Sequence, residues 1–263
     1  MAADRAKPVV LITGASAGIG RALALAWARE GATLVLMARR EAELEVVARE
    51  VVGLGGQAFT FAGDVTKDAT RRALVDFALE KAKRIDVLVN NAGRGFYAPV
   101  RSIAVADLEH VFALNVFAPL HLTQLCTDAL ARTSGTVVMV SSVAGIAVTP
   151  TLGAYSASKF ALEALSIAMR AELAPSGIHV LVVRPGPVET EFRENALRRD
   201  ATGPSGDKRQ DPAEVAKRTL KAVARHKAVL ETSLFVRAAS FTARVLPGAL
   251  RIWNNRQAHR EHL

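Results

Sequence analysis

Tyr155 and Lys159 are four residues apart, so on a helix both fall on one face, one turn from each other. An unperturbed phenol titrates at about 10. A neighbouring ammonium favours the phenolate and draws that value towards working pH, which proton exchange with a carbonyl oxygen requires. The chain holds only two tyrosines, so few other phenols could do this work. Tyr-x-x-x-Lys is a common accident by itself, and its meaning depends on its surroundings.

A second group is the run Thr13, Gly14, Ala15, Ser16, Ala17, Gly18, Ile19, Gly20. It sits where a first apolar run turns into a first helical pattern, a place where helix N-terminal amides can hold a pyrophosphate and glycines let the backbone come close. Its Gly-x-x-x-Gly-x-Gly spacing differs from the usual Gly-x-Gly-x-x-Gly. The same letters spell Gly14-x-Ser16-x-Gly18, the pattern of a serine hydrolase elbow. Context argues against that reading: the first strand has no upstream strand and loop to supply a second oxyanion amide, and no Asp and His partners follow in recognisable surroundings. Arg39 and Arg40 end the second apolar run, where a dinucleotide fold reads the adenosine ribose. An acid there favours a free 2′-hydroxyl, whereas two planar guanidinium forks suit a 2′-phosphate. The expectation is NADP(H) in preference to NAD(H), with Glu41 nearby and a merely solvated strand-end charge as the other reading.

The elements that must position these groups follow from hydrophobic spacing. Strands are expected near 9–13, 33–37, 58–61, 87–89, 136–140 and 179–183, and helices near 21–30, 41–52, 68–83, 107–130 and 155–174. The strands are apolar throughout, as when helices cover both faces of a parallel sheet. The fold class is α/β, a doubly wound parallel sheet of Rossmann type with helices on both faces. At this length a single domain over 1–263 is the default, with a dinucleotide-binding and catalytic core at 8–190. The Pro-, Gly- and charge-rich stretch 187–210 is either a lid forming a substrate loop or a solvated surface loop. Asp211 and Pro212 open another helix to about 226. The apolar stretch 228–253 is interrupted by Glu231, Arg237, Arg244 and Pro247, charges too costly for a spanning helix. It closes the sheet, covers the substrate pocket or lies on a membrane surface, the last suggested by Arg237, Arg244, Arg251 and Arg256 with Leu246, Leu250 and Trp253.

The net charge of +9 lies almost wholly at the C-terminal end. From Arg193 onward there are fifteen Lys or Arg against seven Asp or Glu, a stretch that includes the basic, apolar extension 228–263, and the core before it is close to neutral. No nucleic-acid partner is therefore expected. Cys126 is the lone cysteine and can form neither an internal disulfide nor a Cys-x-x-Cys clamp, so no metal is expected and a reducing cytoplasmic setting fits. Residues 1–7 lack the layout of a signal peptide. His259 and His262 read as tail residues, not metal ligands.

Taken in order, Thr13 to Gly20, Asp64-Val65, Asn90-Asn91-Ala92-Gly93, Asn115, Ser141-Ser142, Tyr155 with Lys159, and Pro185-Gly186 with Thr190 closely resemble the short-chain dehydrogenase/reductases, over about 9–190. The resemblance implies that Tyr155 exchanges the proton, Lys159 lowers its pKa and holds the nicotinamide ribose, Ser142 hydrogen-bonds the substrate oxygen, and Asn115 keeps a water linking Lys159 to solvent. A satisfied buried amide is the other reading of Asn115. It also implies cofactor contacts from Gly14, Ser16, Ala17, Gly18, Ile19 and Gly20, from Asp64 and Val65 beside adenine, and from Asn90, Ala92 and Gly93 near the riboses. Pro185, Gly186, Val188 and Thr190 complete the set towards the carboxamide. Asn90 and Asn91 could otherwise be turn formers. Arg94 reads as surface charge, or as a contact for phosphate or an anionic substrate. The substrate expected is a small apolar carbonyl or alcohol, possibly lipid-like, met by Phe96, Val143, Ala144, Phe192 and Leu197. The chain lacks the Gly-rich seventh strand of tetrameric members, which favours a homodimer. A non-catalytic NADP(H)-sensing or partner-binding protein is the alternative, because fold alone does not fix function.

Overall fold

A computed structural model describes residues 7–201, 209–246, 248, 252, 254 and 255. Residues 202–208 of the expected substrate loop and Leu250, Arg251, Trp253, Arg256, His259 and His262 lie outside them. In chain order the elements are β1 (Val9–Thr13), α1 (Gly18–Arg29), β2 (Thr33–Ala38), α2 (Glu41–Gly53), β3 (Gln57–Ala62), α3 (Asp68–Ala82), β4 (Val87–Asn90) and β5 (Phe96–Tyr97). There follow α4 (Val105–Phe112), α5 (Ala118–Thr133), β6 (Thr136–Val140), α6 (Gly153–Leu173), β7 (His179–Arg184), β8 (Leu197–Arg198), α7 (Pro212–Ala224), β9 (Val229–Glu231) and α8 (Leu234–Val245).

Seven strands form one parallel sheet in the order β3-β2-β1-β4-β6-β7-β9. Alternate side chains of β1 go to opposite faces, as a strand requires. Val10 and Ile12 join the apolar layer under α1, α2 and α7, while Leu11 joins the layer under α3, α5 and α6. Each such fully buried Val, Leu or Ile contributes roughly 1.5–3 kcal/mol through removal from water. The strand order reverses between β1 and β4, which opens a crevice at the carboxyl ends of these strands, where a doubly wound sheet binds its ligand.

The C-terminal stretch resolves in part. β9 pairs with β7, Val229 opposite Val182 and Leu230 opposite Val183, so this part of the chain closes the sheet. Among the described residues no helix is long and apolar enough to cross a membrane. A two-residue ribbon, β5 with β8, was not expected; it sets Phe96 opposite Leu197 and Tyr97 opposite Arg198.

The stretch expected as one helix at 107–130 is continuous but changes its winding. Residues Ala113–Phe117 form a π-helical segment between α4 and α5. Pro119, at the start of α5, has no N–H to give to the Asn115 carbonyl four residues earlier, and its ring crowds that carbonyl. The local widening that results puts Asn115 inside the bulge.

Candidate active site

The first wall of the crevice is the turn from β1 into α1. Gly14 and Gly18 have φ of +67° and +54°, a region that side chains with a Cβ rarely adopt. A Cβ on Gly18 would lie 2.9 Å from Thr190 Cγ2, and one on Gly20 would lie 2.2 Å from the Gly14 carbonyl oxygen. No side chain caps the N-terminus of α1, whose preceding residue Ala17 is extended. Its first amides are thus left for a ligand, and the positive end of the helix favours an anion. This arrangement fits a pyrophosphate.

The turn is held by Thr13 and Asn91, motif members to which the sequence assigned no cofactor contact. Asn91 Nδ2 donates to the carbonyls of Thr13 at 2.9 Å and Gly14 at 3.1 Å. Thr13 Oγ1 accepts from the backbone N–H groups of Asn91 and Ala92, both at 3.1 Å, and donates to the Val89 carbonyl at 3.3 Å. The ends of β1 and β4 are stitched together where the sheet reverses. Asn90 points the other way. It is buried, and its Nδ2 donates to Thr123 Oγ1 of α5 at 3.1 Å, away from the crevice wall.

At the adenosine end, the wall includes Arg39, Arg40, Asp64 and Val65. Partial burial pushes the Asp64 carboxyl up, but the Thr66 N–H at 3.0 Å, its hydroxyl at 2.8 Å and the charge of Arg39 outweigh it and hold the group below the usual range. Arg40 is engaged by two carboxylates, Glu191 at 3.1 Å and Glu43 at 3.5 Å. Arg39 has no carboxylate within ion-pair distance among the described residues and stands exposed at the crevice rim. The two arginines that look alike in sequence therefore differ in availability.

The crevice continues as a cavity of about 450 Å³ past Ala92, Gly93, Ser142, Tyr155, Lys159, Pro185, Gly186, Val188 and Thr190. Ser16, Ala17, Gly18 and Ile19 also line it. Gly20 and Asn115 lie behind this wall. Gly20 packs against the turn, and Asn115, wholly buried, accepts from the Arg94 N–H at 2.9 Å and donates to the Arg94 carbonyl at 3.0 Å and to Ser158 Oγ at 3.0 Å. Ser158 in turn donates to the Tyr155 carbonyl at 2.7 Å, which links the bulge to the first turn of α6.

Tyr155 and Lys159 stand together on α6 as their spacing requires, both buried. Lys159 Nζ is 5.8 Å from the Tyr155 ring centroid and donates to the Val140 carbonyl at 2.9 Å. Burial lowers the Lys159 ammonium to about 8, against the charge of Glu163 that raises it. Burial pushes the Tyr155 phenol above its ordinary value, and the Tyr97 phenol adds to that, while a hydrogen bond from Ser142 works in the opposite direction. Burial is the main cause, since a low-dielectric surrounding disfavours the charged phenolate.

Ser142 Oγ accepts from the Ala144 N–H at 3.1 Å and so caps the tight turn 143–145 that forms the substrate side. Phe192 stacks tilted on Tyr155 with centroids 5.8 Å apart. Val143, Ala144, Leu114 and Leu152 line this end, but Phe96 and Leu197, expected at the pocket, sit behind it in a small apolar cluster. Arg94, read from the sequence as surface charge or as a contact for phosphate or an anionic substrate, lines the cavity and donates through Nε to the Asn195 carbonyl at 2.8 Å. A buried fork, Arg184 to Glu163 at 2.8 and 3.0 Å, fastens α6 to β7 and so fixes Tyr155 against the sheet. Its partners are 21 residues apart and in no motif, so sequence offered no signal for it.

Residues 8–201 match the short chain dehydrogenase family. The chain is 35% identical to the 7alpha-hydroxysteroid dehydrogenase of Escherichia coli over 71% of its own length and 73% of that protein. It is similar to a short-chain dehydrogenase from Sphingobium yanoikuyae solved with NADPH, with a TM-score of 0.79, 30% identity and 93% coverage of each chain. A Burkholderia phymatum relative solved with NAD gives a TM-score of 0.83 at 25% identity, covering 94% of this chain and 95% of that one. With the glycine turn, the Tyr155 and Lys159 pair and the sheet reversal already in place, the chain belongs to the short chain dehydrogenase family and is an NAD(P)-dependent oxidoreductase acting on CH–OH groups.

Proposed function

We propose that the protein interconverts a carbonyl and an alcohol on an apolar, lipid-like substrate, using NADP(H) in preference to NAD(H). The observation that carries this reading is the buried Tyr155, which lines the same cavity as the uncapped α1 N-terminus and as Arg39, a residue with no carboxylate within ion-pair distance among the described residues. Gly14, Ser16, Ala17, Gly18 and Ile19 would hold the pyrophosphate, Asp64 and Val65 the adenine, Arg39 the 2′-phosphate, and Lys159 the nicotinamide ribose. The bound nicotinamide supplies or takes the hydride. Tyr155 Oη gives a proton to the substrate oxygen in reduction and takes it back in oxidation, and Ser142 Oγ orients that oxygen.

The apolar lining of Leu114, Val143, Ala144, Leu152 and Phe192 supports an apolar substrate. Exposed Phe160 and Ile167, seven residues apart on one face of α6, support a homodimer. The exposed apolar side chains Leu234, Phe235, Phe241 and Val245 of α8, beside Arg237 and Arg244, support peripheral contact of a cytoplasmic protein with a membrane surface. Tyr155→Phe is expected to abolish NADPH oxidation across a panel of apolar ketones while NADPH binding, followed by its fluorescence, persists. Normal turnover in the variant overturns the role of Tyr155. No binding of either nicotinamide by the wild type favours a non-catalytic protein.

A further inference from the structure

Among the described residues, acidic side chains line only one end of the cavity. The two lining carboxylates, Asp64 and Glu191, belong to the adenosine end, and Glu191 is occupied by Arg40. Around the substrate end the lining side chains that carry or can carry charge are Arg94, His110, Lys159, Arg193 and Arg209, with no Asp or Glu among the described residues there. Other arginines nearby have protein partners: Arg199 pairs with Asp107 at 2.9 Å, and Arg198 lies over the Tyr97 ring at 5.9 Å. Arg94 donates only to a neutral carbonyl among its described contacts, through Nε, which leaves its two terminal nitrogens for a ligand. Its backbone is clamped on both sides by Asn115, so the guanidinium is carried on a fixed support.

Resting on the oxidoreductase reading above, we propose that the substrate is an amphipathic anion whose apolar body lies against Leu114, Leu152 and Phe192 while its carboxylate is received by Arg94. A half-buried guanidinium with no acid beside it among the described residues is a fork shaped for a carboxylate, and a cavity end whose described charged lining is of one sign draws such a ligand in. The pyrophosphate of the cofactor does not account for Arg94, because the glycine turn and the α1 N-terminus already supply that site.

The test is calorimetric titration of the protein saturated with NADPH, using octanoate and 1-octanol, neither of which can be reduced by it. Octanoate is expected to bind at least about tenfold more tightly than 1-octanol, the scale of one charge-assisted contact. In Arg94→Gln the ratio is expected to fall to about one, and in Arg94→Lys, which keeps the charge but not the fork, to survive in part. Equal binding of the two probes by the wild type overturns the proposal. So does a loss of NADPH affinity in Arg94→Gln that parallels the loss of octanoate, since Arg94 would then serve the cofactor. Turnover of 9-oxodecanoic acid and of its methyl ester separates the two levels: failure to reduce either, with octanoate still bound through Arg94, removes the carbonyl reading and leaves the anion site standing.

Discussion

Replacing Lys159 by Met is expected to flatten the pH dependence of folding stability, by an amount the structure sets. Burial lowers the Lys159 ammonium from 10.5 to about 8. At roughly 1.4 kcal/mol per unit, holding that charge in the folded chain costs about 3 kcal/mol at neutral pH. The folded value lies below the unfolded one, so the unfolded chain keeps the proton longer. The penalty is therefore complete below pH 8 and is relieved as pH rises from about 8 to 10.5. Between pH 7 and pH 9.5, stability of the wild type is expected to rise by about 2 kcal/mol relative to Lys159→Met. Urea unfolding followed by circular dichroism at the two pH values measures this double difference. Burial raises both the Tyr155 phenol and the Cys126 thiol, which keeps them protonated through this range in the folded state of either protein. The lost bond from Nζ to the Val140 carbonyl is constant in each comparison and cancels. Stability curves that run parallel through this range would refute the argument and mean that the ammonium is better solvated than its burial implies.

Arg39→Ala is expected to weaken NADPH by roughly tenfold or more and NADH by less than about twofold, while Arg40→Ala does less, because Glu43 and Glu191 already hold its guanidinium. Fluorescence titration decides it, and equal losses for both nicotinamides would sink the 2′-phosphate assignment. Gly18→Ala combines a φ of +54° with a contact of 2.9 Å to Thr190 Cγ2, so both cofactors are expected to weaken together and the melting temperature to fall, with about 1–2 kcal/mol from the backbone strain alone. Unchanged affinity would show that the turn tolerates a side chain. Glu163→Ala leaves buried Arg184 with only Glu231, at 3.4 Å, and is expected to cost about 3 kcal/mol by urea unfolding. A loss under about 1 kcal/mol would mean that the fork is not what fastens α6 to the sheet.

Much of the architecture was legible because it is written locally. Apolar runs of strand length, helical spacing and the glycine turn each depend on residues within a few positions, and the π-helical bulge had its own local signal in Pro119, four residues after Asn115. The pairing of Tyr155 with Lys159 is equally local, since four residues on a helix is one turn. What spacing does not encode is the direction of neighbours at a strand end. Asn90 and Asn91 are adjacent and alike, yet one turns to Thr123 in α5 and the other to Gly14 in the crevice. Phe96, expected in the pocket, is behind its wall, while its neighbour Tyr97 lines it.

By itself the sequence determined the doubly wound sheet, the place of the crevice and the juxtaposition of Tyr155 with Lys159, because periodicity, glycine and helix geometry act over short stretches of chain. Only the tertiary structure decided which charges are free to act. Arg40 is taken by Glu191 from 151 residues away, Arg94 is anchored to Asn195 from 101 residues away, and Lys159 is turned to the end of β6. Those partners, and the burial that shifts Tyr155 and Lys159, arise from long-range packing, which sets distance and dielectric for each charge and which no local pattern of residue types contains.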